Sequence, residues 1–281
     1  MAAIEFVKVE GLGNDFILVD RRDADVQDLD REIAWFRAHA PALCDRRTGI
    51  GADGVLVVGP GRGEARASMT VVNFDGSRPE MCGNGLRCVA AIVGGPELVI
   101  DTDAGPKRAQ VWTRGHAFEV RIDMGPGRTL GRQTPAAGEG RSFLGVSMGN
   151  PHAVTFVDEP PEALARRLGP GVELDGAYAP EKTNVEFARV HRDPTGAIEI
   201  ELWVWERGVG ITQACGTGAC ATVVAAVHEG LVASATPVDV RLPGGRLTIE
   251  VPTDPHAGVI MTGPCRRVFW GELDPAIYEP A

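Results

Sequence analysis

The chain has 281 residues, a net charge of −10 and 44% hydrophobic residues, enough for two ordinary domains that each bury a core without disulfides. The acidic balance, with no Lys/Arg block, argues against nucleic acid or an anionic membrane as a partner, and no apolar run approaches the roughly 20 residues that span a bilayer. MAAIEFVKVEG lacks the form of a secretory signal, so a cytoplasmic protein acting on a small molecule is expected, with six cysteines that are free, buried or reactive rather than paired.

Short strands separated by Gly, Pro, Asp and Asn turns dominate the pattern. In chain order the spacing predicts strands over 4–9 and 16–19, a helix over 30–40 stopped by Pro41, strands over 54–58 and 68–73, and a helix over 85–93 stopped by a Gly pair. Strands over 97–102, 109–113 and 117–123 follow. Residues 125–140, rich in Gly, Pro, Ala and Arg, form the best candidate linker. Beyond it come strands over 143–147 and 153–157, a helix over 161–168, strands over 184–191 and 198–205, and a helix over 218–228. Strands over 238–242, 247–251, 259–262 and 268–271 close the chain. The balance predicts an α+β fold.

The same signals recur in the same order on either side of the candidate linker. GLGNDF, with Asn14, precedes Cys82 by 68 residues, and SMGNPH, with Asn150, precedes Cys215 by 65. Both cysteines sit in a Cys, Gly, small polar, Gly arrangement, MCGNGLRC and ACGTGACA, that opens a helix-like run. This predicts an internal duplication, two pseudo-symmetric halves with the two cysteines meeting at a cleft between them.

A helix start offers unpaired N–H groups and the positive end of its dipole, and glycines let a ligand approach the backbone. The same field favours thiolate, drawing a cysteine down from about 8.5 toward neutral pH. A substrate carboxylate held between two such starts would have the charge of a departing α-proton stabilised. One thiolate would take that proton while the opposite thiol supplies another from the far face, so the stereocentre inverts with no cofactor. Two thiolates would repel, which makes one thiolate and one thiol the expected resting pair. The spacings Cys82 to Cys88 and Cys215 to Cys220 fit no zinc pair, so no metal is expected, and Cys44, Cys88, Cys220 and Cys265 are expected to be packing residues. Three lysines, Lys8, Lys107 and Lys182, leave few candidates for a Schiff base with pyridoxal phosphate.

Through GLGNDF, NFDGS, MCGNGLRC, SMGNPH, KTNVEF, WERGVG, ACGTGACA, LPGGRL and MTGP, the sequence resembles the diaminopimelate epimerases over essentially its whole length. The resemblance implies a cofactor-independent enzyme that interconverts LL- and meso-2,6-diaminopimelate on the route to lysine and peptidoglycan, working as a homodimer. It implies two halves, 1–126 with 263–281 and 127–262, each a curved, mostly antiparallel sheet wrapped around a central helix. Cys82 and Cys215 become the acid/base pair, with His152 and Glu206 influencing them. Asn14, Asn73, Gly83, Asn84, Asn150, Asn184, Glu206, Arg207, Gly216 and Thr217 become substrate contacts. All five asparagines of the chain fall in these motifs. One departure is GIGADG, where Gly54 stands in place of a Gln that contacts substrate in some members. The rival readings are a racemase of the same fold acting on histidine or proline, and a thiol switch in which Cys82 and Cys215 pair.

Overall fold

The computed structural model describes residues 3–278, which form two compact units: one runs to Ile122 and resumes at Gly263, the other is Asp123–Thr262. In the first unit β1 (Ile4–Gly11), β2 (Asn14–Asp20), α1 (Val26–Leu43), β3 (Gly54–Gly59), β4 (Ala67–Asn73), α2 (Gly83–Val93), β5 (Glu97–Asp101), β6 (Lys107–Arg114) and β7 (Ala117–Asp123) follow in order. Strands β2 and β3 pair parallel across α1, β4 and β5 pair parallel across α2, and the other neighbours pair antiparallel.

The second unit holds β8 (Arg128–Gln133), β9 (Phe143–Ser147), β10 (Pro151–Phe156), α3 (Pro161–Glu173), β11 (Asn184–Arg192), β12 (Ile198–Glu206), β13 (Gly210–Ile211), α4 (Gly216–His228), β14 (Val238–Leu242) and β15 (Gly245–Glu250). Its logic repeats the first: β10 and β11 pair parallel across α3, β12 and β14 pair parallel across α4, and antiparallel pairs fill the rest. The last strand, β16 (Ile260–Leu273), begins beside β15 in this unit, and its residues from Arg266 onward pair with β1 in the first. A parallel pair needs a crossover, so each repeated helix lies where the sheet order demands one.

Within each unit the two helices differ in kind. In α1 the buried residues Ile33, Phe36, Ala40 and Leu43 make one stripe against the sheet, and Asp25 caps the start by accepting from Asp28 N at 2.9 Å. In α2 every residue but Ile92 is buried, and in α4 every residue but Thr217, Val227 and His228. A helix apolar all round is a core helix, and each packs against several strands of its own sheet.

Three expectations are corrected. Pro41 does not end α1, which runs three residues further because Leu43 extends the buried stripe. Residues 125–140 are no linker: they carry β8, an exposed strand completed by hydrogen bonds to β9, so a polar edge strand was mistaken for loop. The last two predicted strands are one continuous β16, because Gly263 and Pro264 do not interrupt its course.

Candidate functional site

Cys82 and Cys215 occupy the N-cap positions of α2 and α4, the second crossover helix of each unit. Each Sγ accepts the N–H of the glycine three residues on, Gly85 or Gly218, at 3.4 Å. Ser, Thr, Asp and Asn cap helices best, so a thiol in both places gives up capping strength and gains a sulfur in the field of the helix start.

In the first unit the surroundings of Cys82 are amides. Its S–H points at Asn14 Oδ1, 3.9 Å away, and the same oxygen accepts from Asn84 Nδ2 at 3.2 Å. Asn14 is held in that orientation because its Nδ2 donates to Asp53 Oδ2 at 2.6 Å, an oxygen that also accepts the Asp15 N–H. Asn84 is buried beside Gly83 in the first turn, and its Oδ1 accepts from Arg87 Nη2 at 2.8 Å. Asn73 is not tied to the thiol by a hydrogen bond: its Nδ2 donates to Ser77 Oγ at 2.9 Å within the turn that follows β4. Gly54 opposes Asn73 across β3 and β4, where a Cβ would stand 2.5 Å from Val72 O, so the backbone leaves no room for any side chain there.

The second unit surrounds Cys215 with ionisable groups. Glu206 lies close to the thiol, its Oε1 accepting from the Thr212 hydroxyl, and Sγ lies 3.6 Å from Thr217 Oγ1. Asn150 Nδ2 reaches that hydroxyl at 3.5 Å, while Asn150 Oδ1 faces His152 Nε2 at 3.0 Å. His152 Nδ1 lies 2.6 Å from Glu186 Oε1, and both side chains are fully buried. Gly216 is buried in the first turn of α4. Asn184 spends both ends of its amide as a clamp, donating to Pro151 O at 2.9 Å and accepting Arg207 N–H at 3.0 Å. Arg207 is exposed, with Nη1 donating to Glu181 O.

Burial pushes the Cys215 thiol well above its ordinary range, and any negative charge on Glu206 or Glu186 acts in the same direction. For Cys215 this corrects the expectation that the helix start draws the thiol down: desolvation outweighs the dipole. Burial likewise raises the carboxyls of Glu206 and Glu186. Cys215 is thus a buried thiol flanked by two carboxyl groups.

Three residues escaped the reading of the sequence: Asp53, Arg87 and Glu186. A signal existed for two of them. Arg87 is the one charge in the apolar run LRCVAAIV, and Glu186 is the one charge in NVEFA, a strand segment apolar on both faces. Asp53, in a polar turn, had no such mark.

A family model described as "Diaminopimelate epimerase" matches residues 6–130 and again residues 144–268, once in each half of the chain. The chain belongs to the diaminopimelate epimerase family. Relatives of that name include one from Sphingopyxis alaskensis, 43% identical over 97% of this chain and 98% of its own, and one from Gloeothece citriformis, 42% identical over 95% and 98%. The fold of the family is shared more widely. A probable proline racemase from Agrobacterium radiobacter superposes with a TM-score of 0.69 at 15% identity, covering 96% of this chain and 93% of its own. A hydroxyproline epimerase from Agrobacterium vitis gives 0.67 at 17%, covering 97% and 91%. At that identity the likeness concerns architecture alone.

Proposed function

We propose that this protein interconverts LL- and meso-2,6-diaminopimelate by inverting one α-carbon without a cofactor, with Cys82 and Cys215 as the acid/base pair. The observation that carries the reading is the placement of a thiol at the cap of the equivalent helix in each copy of a duplicated unit, in a chain whose relatives bear that activity in their names. The helix starts at Gly83, Asn84, Gly216 and Thr217 supply N–H groups for the carboxylate at the reacting end, stabilising the charge that develops as the proton leaves. Asn14, Asn73 and Asn150, with Glu206 and Arg207, are the remaining contacts, and Asn184 serves by presenting Arg207. The Arg207 guanidinium suits the distal carboxylate, and Glu206 suits an ammonium.

In the LL-to-meso direction Cys215 is the acceptor and Cys82 the donor. Cys215 has the Glu206 carboxyl beside it as a group that can relay its proton, whereas the Cys82 S–H faces the Asn14 amide oxygen, which takes up no proton. Family membership also leads us to propose a homodimer in the cytoplasm, to be read from a solution mass twice the 29.8 kDa of the chain. The test of function is incubation with LL-diaminopimelate and chiral separation of the products. Cys82→Ser and Cys215→Ser are each expected to lower turnover by roughly a hundredfold or more. Inversion of proline or histidine with diaminopimelate untouched would overturn the substrate; undiminished turnover in either variant would overturn the mechanism.

A further inference from the structure

Glu186 is wholly buried on β11, next to His152 of β10, and the two-thiol reading gives it no task. It sits against the first turn of α4, where a Cβ added at Gly218 would come within 3.0 Å of Glu186 Oε1 and 3.2 Å of Cys215 Sγ. Oε1 is 2.6 Å from His152 Nδ1, while Oε2 is buried and meets no hydrogen-bond donor among the described residues. Across the imidazole, Nε2 is 3.0 Å from Asn150 Oδ1, an oxygen that only accepts. Nε2 must therefore carry a hydrogen, and a single proton is left for the contact between Nδ1 and Oε1.

Were that proton on nitrogen, Glu186 would be a buried carboxylate with one oxygen lacking any donor, a costly arrangement. On oxygen, it leaves both groups neutral and makes an O–H···N bond of ordinary length. The groups that face Glu186 are His152 from β10, Glu206 from β12 and Cys215 from α4, with the Tyr178 phenol further off; none is a lysine or arginine. Burial moves the Glu186 carboxyl in the direction this requires.

We propose that Glu186 is a positioning residue of the reaction: as a buried carboxylic acid it donates to His152, fixes the imidazole hydrogen on Nε2, and so holds the Asn150 amide with its N–H groups turned to Thr217 beside Cys215. The inference rests on the proposed role of Cys215. It carries one unbroken line of contacts from the acid to the thiol, through His152, Asn150 and Thr217.

The test compares wild type, Glu186→Gln and Glu186→Met in diaminopimelate epimerisation from about pH 6 to about pH 9, beside thermal melting. Gln offers an N–H where the acid offers its O–H, so its kcat/KM is expected within about threefold of wild type with an unmoved pH profile. Met keeps the length of the side chain and loses the proton, so a loss of about a hundredfold is expected in a protein that still melts cooperatively. A Met variant as active as wild type overturns the inference. So does a Gln profile displaced to lower pH, the result of removing a negative charge near Cys215. If the Met variant does not fold, the Gln profile decides alone. A wild type inert toward diaminopimelate defeats the proposed function and this inference with it; an active wild type with an unimpaired Met variant defeats this inference only.

Discussion

Asp15 shows how a single side chain conditions the surroundings of Cys82. It receives Lys8, almost buried, at 2.6 Å and Arg46 at 2.7 Å, and its N–H goes to the Asp53 oxygen that also orients Asn14. Burial alone would raise its carboxyl, but hydrogen bonds and charge from Arg46 and Lys8 win, leaving it below 3.8. A depressed folded value means the stabilisation is complete above about pH 4 and is lost as pH falls through the folded value. Asp15→Asn is therefore expected to lower stability by about 3 kcal/mol at neutral pH, mostly by removing the carboxylate paired with Lys8, which keeps its bond to the Gly51 carbonyl, with the gap from wild type narrowing near pH 3. Urea midpoints at the two pH values read this directly. Gly54→Gln is expected to cost about 3 kcal/mol by urea melt, because its Cβ meets a backbone carbonyl that cannot retreat. The two helix-capping thiols were legible because each opened an apolar run in a glycine-rich repeat. The Glu186 and His152 pairing was not, since contact between neighbouring strands depends on a parallel register that no local pattern encodes.

Secondary elements carried their strongest signal where burial repeats with a fixed period. The α1 stripe continues to Leu43, so the period overrules Pro41 as a stop signal. Pro41 is exposed in the last turn and contributes no donor there, at a cost of about 3 kcal/mol relative to Ala, offset by about 1 kcal/mol from the stiffer unfolded chain. Pro41→Ala is thus expected to stabilise the protein by about 2 kcal/mol, seen as a higher urea midpoint without a change in slope; a destabilised variant would show that the proline packs usefully. The polar edge strand β8 went unread because an edge needs no apolar alternation to pair.

On the scale of the molecule, the duplication was legible from motif order, since Asn, Cys and helix recur at matched distances. What no motif revealed is the shared pairing scheme, two parallel crossovers among antiparallel neighbours in each unit, with the capped core helix as the second crossover. The environments nevertheless diverge, with amides beside Cys82 and carboxyl groups beside Cys215, as a reaction in which one thiol gives and the other takes would use. The most direct test of that account is proton NMR of LL-diaminopimelate in heavy water, stopped early in the reaction. A thiol carries one proton and donor and acceptor are separate, so the account predicts meso product deuterated at the inverted carbon while remaining LL substrate keeps its proton. Product that retains the original proton, or inversion undiminished in Cys82→Ser, would contradict it.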